Sequence, residues 1–195
     1  MYRFYYSHST GGDVLYCLID PSSYPDEVRK KGDVASLYFQ GRRIGINFLN
    51  ISKKVKIKAD GMIPSLSPRL LEIVNHMLIN ALEEPLPPLE KSLFAIAEVI
   101  STEEHPLDEK KKIVHLSLGD STLDTVSRYQ NVIKGAKVVV ALDGCIKADG
   151  TVFSSHSERN IPIDCEICSS LDLRLGSDEK AAFIALGAPG DDFFA

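Results

Sequence analysis

His156-Ser157-Glu158 followed by Cys165-x-x-Cys168 are the residue types that zinc chemistry uses. Zinc deaminases pair a His-x-Glu with a later Pro-Cys-x-x-Cys, the Glu moving protons and the thiolates holding the metal. Here only six residues separate Glu158 from Cys165, and Pro162 stands three residues before Cys165 rather than next to it. A single C-x2-C without a second ligand pair is weak evidence for zinc, and a packed thiol accounts for it equally well. No metal or other cofactor is expected. Ser154, Ser155 and Ser157 sit in no nucleophile elbow, and the chain has no glycine-rich phosphate loop, so a catalytic function is not expected either.

Two other groups could do binding chemistry. Arg128, Tyr129 and Lys137 flank the start of a long apolar run and combine two cations with one aromatic ring, the ingredients of a single-stranded RNA contact. Lys53, Lys54, Lys56 and Lys58, with Arg42 and Arg43 nearby, form the main basic cluster of the sequence. It could help hold a nucleic-acid backbone, but such alternation is more often an edge strand kept from aggregating by charge.

The charge balance sets the frame for both. The 195 residues carry a net charge of −5, distributed unevenly. Residues 1–91 hold 12 Lys/Arg against 10 Asp/Glu, and residues 92–195 hold 10 against 17. An acidic C-terminal half repels phosphate overall, so RNA binding there must rest on a local patch. Hydrophobic content of 44% and charged content of 25% are those of a soluble globular chain. No apolar run reaches the roughly 20 residues of a membrane helix. The N-terminus shows no secretory leader, and four cysteines do not make a disulfide framework, so a cytoplasmic protein is expected.

The elements follow from periodicity. Tyr2 to Tyr6 and Asp13 to Ile19, split by Thr10-Gly11-Gly12, read as a hairpin; Val34 to Phe39 and Arg43 to Leu49 read as a second one around Gln40-Gly41. Asp20 to Lys31, with Pro21 and Pro25, reads as a loop or short helix. Ile51 to Lys58 alternates and reads as a half-buried strand with a lysine outer face. Ser67 and Pro68 open a helix whose apolar face is Leu70, Ile73, Val74, Met77, Leu78 and Leu82. Pro85, Pro87 and Pro88 stop it and mark a linker over 86–91, between an α+β domain over 1–85 and a second domain over 92–195.

In that second domain, Leu93 to Ile100, Lys112 to Leu118, Leu123 to Ser127, Gly135 to Leu142, Thr151 to Phe153, Pro162 to Cys168 and Ala182 to Leu186 read as short strands, with a short helical segment expected near Ser169 to Leu173. Val138 to Leu142 is continuously apolar and bounded by Gly135 and Asp143-Gly144, the mark of a strand buried on both faces. It is expected at the centre of a small closed barrel.

The order His105-Pro106, Lys110, a hairpin, Asn131-Val132, Gly135, Lys137 to Ala141, Gly150, Pro162 and Ile167-Cys168-Ser169 resembles the tRNA-binding domain, the OB-fold module of the phenylalanyl-tRNA synthetase β subunit and of some methionyl-tRNA synthetases. The first half, through Gly11 to Leu15, Gly32-Asp33-Val34 and Gly45 to Asn50, is similar to the N-terminal domain of YtpR-like bacterial proteins. The resemblance implies an all-β, five-stranded Greek-key OB barrel after the α+β domain. It also implies RNA contact through Lys110, Asn131 and Ser169, beside Arg128, Tyr129 and Lys137, with tRNA or another structured RNA as the partner. The chain departs from the family pattern at Leu107 to Lys111, Arg128 to Asn131, Glu158 to Pro162 and Ile163 to Glu166, where small or glycine residues give way to bulky or acidic ones. Those departures support a second reading, a degenerate OB module that serves protein interaction or forms a homodimer. Neither reading places the chain in a membrane.

Overall fold

A computed structural model of the chain describes residues 1–8, 12–63, 66–89 and 91–194. They fall into two compact units, Met1–Glu90 and Lys91–Ala195.

The first unit is one antiparallel sheet with a helix against it. Its strands are β1 (Arg3–Ser7), β2 (Val14–Leu18), β3 (Glu27–Lys31), β4 (Val34–Phe39), β5 (Arg42–Leu49) and β6 (Gly61–Ile63), in the order β3-β4-β5-β2-β1-β6. Both expected hairpins form, although Thr10 and Gly11 of the first turn lie outside the described residues. In the second, Gln40 (φ 49°) and Gly41 (φ 76°) both take positive φ, the two-residue turn whose twist matches the strands it joins.

Helix α1 (Pro68–Asn80) starts as its sequence dictates, with the Ser67 hydroxyl accepting a hydrogen bond from the Leu70 amide at 3.2 Å. Leu70, Val74, Met77 and Leu78 pack on Phe4, Leu15, Val34, Ile46 and Phe48 of the sheet. The stretch beyond the helix is not a free spacer at its start. Asn75 donates to the Leu86 carbonyl (2.9 Å) and accepts from its amide (2.8 Å), and the Tyr2 hydroxyl donates to the Pro87 carbonyl (2.6 Å). Leu86 is buried and Leu89 packs on the same core, so residues 86–89 dress the first unit.

Two readings of local structure change. Glu27–Lys31 is a strand, where a loop or short helix was expected; it is an edge strand paired only with β4 and exposed at every residue, so no apolar alternation could mark it. Ile51 to Lys58 is not a strand: Ile51–Lys53 form a short 3-10 turn and residues 55–59 run as irregular chain. Its alternation has another origin, because Val55 and Ile57 turn inward onto the core while the lysines point out.

The second unit is an OB-like barrel. Strands β7 (Phe94–Glu104), β8 (Lys112–Ser117), β9 (Thr122–Ser127), β10 (Lys137–Leu142) and β13 (Cys165–Ile167) lie in the order β13-β10-β7-β8-β9. The last gap is bridged: the Asp164 amide donates to the Asp124 carbonyl (2.8 Å), and the Thr125 hydroxyl donates to the Cys165 carbonyl (2.5 Å). A small hairpin, β11 (His156–Glu158) with β12 (Ile161–Ile163), rises from the long connection between β10 and β13. Residues 170–174 form turns, not the helical segment expected near Ser169 to Leu173.

The middle position in this order belongs to β7, not to the Lys137–Leu142 strand expected there. The burial of β10 is as its sequence predicts, with Val138, Val139, Val140 and Ala141 all inaccessible. Val138 and Val140 face the barrel interior with Val99, Val114 and Leu116. Val139 and Ala141 face outward, where they pack with Phe94, Ile96, Cys168, Leu173, Phe183, Ala185, Phe193 and Phe194. The C-terminal tail supplies that cover by pairing with the first half of β7, which β8 does not reach: the Phe193 amide donates to the Phe94 carbonyl (2.8 Å) and the Ile96 amide to the Asp191 carbonyl (3.0 Å).

Candidate nucleic-acid interface

In OB barrels the face of the second and third strands, with the loops joining strands one to two and four to five, is where oligonucleotides lie. Here those parts are β8, β9, the loop at 105–111 and the connection at 143–164. They meet in two adjoining grooves. One, of about 240 Å3, is lined by Lys111, Ser127, Arg128, His156, Glu158 and Glu166 among others. The other, of about 400 Å3, is lined by His105, Leu107, Asp108, Lys111, Glu158 and Arg159. Lys111 and Glu158 belong to both.

Of the six residues singled out in the sequence, two lie at this face. Arg128 is exposed at the end of β9 and lines the smaller groove. Lys110 is exposed in the 105–111 loop, which Asp108 shapes by accepting the Lys110 amide at 3.0 Å.

Three others form a cluster whose polar groups are used inside the protein. Asn131 donates to the Ala182 carbonyl (2.8 Å) and accepts from the Ala182 amide (2.9 Å). Ser169 is 1% exposed, pairs with Ala182 in a short bridge, and donates its hydroxyl to Asp172 at 2.7 Å. Tyr129 is half-buried with its phenol within reach of Ser169; burial, then the nearby Asp172 charge, pushes its pKa up. Lys137 stands apart, its ammonium donating to the Gly187 carbonyl of the tail (2.7 Å). Tyr129, Asn131 and Ser169 thus fix the shape of the barrel beside the groove, and only Tyr129 retains a partly open aromatic surface.

The structure adds Lys111, His156 and Arg159 to the candidate residues. Lys111 lies in the sequence Lys110-Lys111-Lys112, and which member faces the groove depends on the turn at Asp108 to Lys111, closed by the Lys111 amide on the Asp108 carbonyl (2.9 Å). Arg159 and Asn160 both have positive φ (51° and 69°), so they form the tip of the β11–β12 hairpin and hold Arg159 over the groove.

The acids interspersed among these cations are partly neutralised. Lys147 binds Glu166 at 2.8 Å; burial opposes the lysine's charge, but this contact outweighs it and raises the Lys147 pKa. Glu158 lies 3.7 Å from His156. The two grooves thus present Lys111, Arg128 and Arg159 together with Glu158 and Asp108, acids in no ion pair with a lysine or arginine among the described residues.

Cys165 and Cys168 do not converge on a metal. Three residues apart on extended chain, they face opposite ways, Cys165 into the barrel and Cys168 into the outer core. Burial pushes both thiols well up. Among the described residues no three His, Cys, Asp or Glu side chains come together as ligands, and no helix is long and apolar enough to cross a membrane.

No family model matches the chain. It is 31% identical over 200 residues to the Bacillus subtilis protein named "Putative tRNA-binding protein YtpR", covering 99% of each. It is also 31% identical over 123 residues to the phenylalanine–tRNA ligase β subunit of Rhodospirillum rubrum, and 30% identical over 119 residues to that of Sulfurimonas denitrificans. Those two matches take in 60% and 61% of this chain but only 15% and 14% of the ligase subunits.

Proposed function

The chain belongs to the YtpR family of tRNA-binding proteins, and on that premise we propose that it is a non-catalytic protein that binds tRNA, or another structured RNA, through its C-terminal OB barrel. The observation that carries the reading is the position of Lys111, Arg128 and Arg159 around a groove on the β8–β9 face, where an OB barrel takes nucleic acid. The cations meet phosphates, while Tyr129 and Lys110 lie at the margins of the same path. Asn131 and Ser169 act one layer below, holding the 128–137 loop and the tail in place. The Lys147–Glu166 pair supports the reading because it removes one repulsive charge from the groove. Full-length binding without catalysis also fits the near-complete coverage of the Bacillus subtilis relative, compared with the small share of the ligase subunits.

The test is a filter-binding titration with total tRNA from about 50 to 200 mM salt, with Lys111→Gln, Arg128→Gln and Arg159→Gln beside the unsubstituted protein. Each substitution is expected to weaken binding and to reduce the slope of log affinity against log salt by about one. Absence of saturable binding below ~0.1 mM, the weak end of ordinary non-specific affinity, overturns the reading.

A further inference from the structure

The lysine-rich stretch after β5 gains a different meaning once its conformation is known. As an edge strand, Lys53, Lys54, Lys56 and Lys58 would need no partner, because lysines on an edge prevent sheet-to-sheet pairing. The edges of the sheet are β3 and β6, and residues 55–59 are in neither. The stretch is a strap: Val55 and Ile57 anchor it to the core, and all four lysines are exposed. Edge protection does not explain them.

The sheet also brings Lys30 and Lys31 to the same end. Lys31 is the last residue of β3 and stands opposite Val34, which stands opposite Phe48 near the end of β5. The turn after β3 is tied to the start of the strap, since the Asn50 side-chain amide donates to the Asp33 carboxylate at 2.9 Å. Six exposed lysines therefore leave one end of the sheet, and none is in an ion pair among the described residues. Lys30 and Lys31 continue into a groove of about 590 Å3 with Arg29, whose guanidinium lies 4.2 Å above the Tyr38 ring. Glu83, on the other wall of that groove, is held by Tyr38 and Arg43.

We propose that this end of the first unit is a second RNA contact, a phosphate-backbone cradle formed by Lys30, Lys31, Lys53, Lys54, Lys56 and Lys58. The chemistry selects a polyphosphate over a lipid surface: a membrane-adsorbing segment turns apolar side chains outward beside its cations, whereas Val55 and Ile57 turn in. Lysines reach phosphates as point charges without reading bases, so the cradle adds affinity and not sequence preference. The proposal rests on the tRNA-binding reading above.

The full-length chain with Lys53→Gln, Lys54→Gln, Lys56→Gln and Lys58→Gln combined tests it, by titration with total tRNA from about 50 to 200 mM salt. The slope of log affinity against log salt is expected to fall in magnitude by about three. A slope within about one of the unsubstituted protein overturns the proposal. Thermal melting checks the fold, and the double variant Lys54→Gln with Lys58→Gln, expected to lower the slope by about 1.5, replaces the quadruple one if that fails to fold.

The groove variant Lys111→Gln, Arg128→Gln, Arg159→Gln separates the two readings. If it alone loses slope, the cradle falls and the barrel site stands. If the lysine variant alone loses slope, the cradle stands and the barrel site falls. If the unsubstituted protein fails to bind tRNA, both fall. Sedimentation with phosphatidylserine vesicles together with an unchanged tRNA slope assigns the lysines to a lipid surface and overturns the cradle.

Discussion

Asn131 holds Ala182 as a neighbouring strand would, donating to its carbonyl at 2.8 Å and accepting from its amide at 2.9 Å. A primary amide presents one donor and one acceptor side by side, so it can replace a missing strand at a single position. The first unit uses the same device, where Asn75 holds Leu86. Ala182 is buried, so Asn131→Ala leaves two backbone groups unsatisfied and is expected to cost about 2 to 4 kcal/mol. Denaturant unfolding measures this. If Asn131 only positions the loop, the folded variant keeps the salt slope of tRNA binding; a slope reduced by about one would show that Asn131 meets a phosphate directly.

His115 makes barrel stability depend on pH. It lies on β8 between two acids, with Nδ1 2.7 Å from Asp124 on β9 and Nε2 3.5 Å from Glu103 on β7. The hydrogen bond to Asp124, ahead of a smaller opposing effect of burial, raises its pKa above the ordinary value. A histidine whose folded pKa is raised stabilises the protein fully below its unfolded pKa and loses that contribution as pH rises through the folded value. The melting advantage of the unsubstituted protein over His115→Gln is therefore expected to be greatest below pH ~6.5, the ordinary histidine value, and to fade as pH rises above it through the raised folded value. An advantage that grows with pH would refute the assignment.

How much of this was legible in the sequence varied with the kind of signal. Burial of β10 on both faces was legible, because an unbroken Val-Val-Val-Ala run has no solvent side to offer. Its place in the sheet was not, since the same run results whether the outer cover is a helix or, as here, a C-terminal tail. The Ile51 to Lys58 alternation was visible too, but period-two burial arises from any extended segment laid on a core, with or without strand partners. At the candidate interface, Arg128 drew notice as a cation beside the Tyr129 ring, and the structure places it exposed at the end of β9, lining the smaller groove. Lys111 and Arg159 did not draw notice, because their placement depends on a loop turn and a hairpin tip. Burial was equally illegible at Ser169: its hydroxyl suits RNA chemically, whereas in the fold it is buried and donates to Asp172.

The tail that covers β7 depends on Gly190. Its φ of +92° lies in the region that side chains avoid, and a Cβ there would run into the Leu118 carbonyl oxygen. The Gly190 amide also donates to the Ile96 carbonyl at 2.8 Å, so the backbone cannot move away without losing that bond. Gly190→Ala is expected to destabilise by about 2 to 4 kcal/mol and to undock the tail, exposing Phe94 and Ile96. Faster exchange of the Ile96 amide, which donates to Asp191 of the tail, with β8 and β9 unchanged, would demonstrate the undocking; unchanged protection there would refute it.

Glu166 yields a prediction of gain rather than loss. It lines the groove with Arg128 and is balanced by Lys147 at 2.8 Å, so the pair adds no net charge to the surface an RNA would meet. Glu166→Gln removes the acid and releases the ammonium, changing the local charge by one unit towards phosphate. Affinity for tRNA is expected to rise about three- to tenfold near 50 mM salt, with the gain shrinking as salt screens it. Lys147→Gln does the reverse, leaving Glu166 unbalanced beside Arg128, and is expected to weaken binding by a similar factor of about three to ten. Opposite signs from two neighbours within one ion pair cannot come from general loss of fold, which lowers binding in both. Matched tRNA titrations of the two variants at two salt concentrations would decide it, and loss of affinity in both would remove Glu166 from the binding surface.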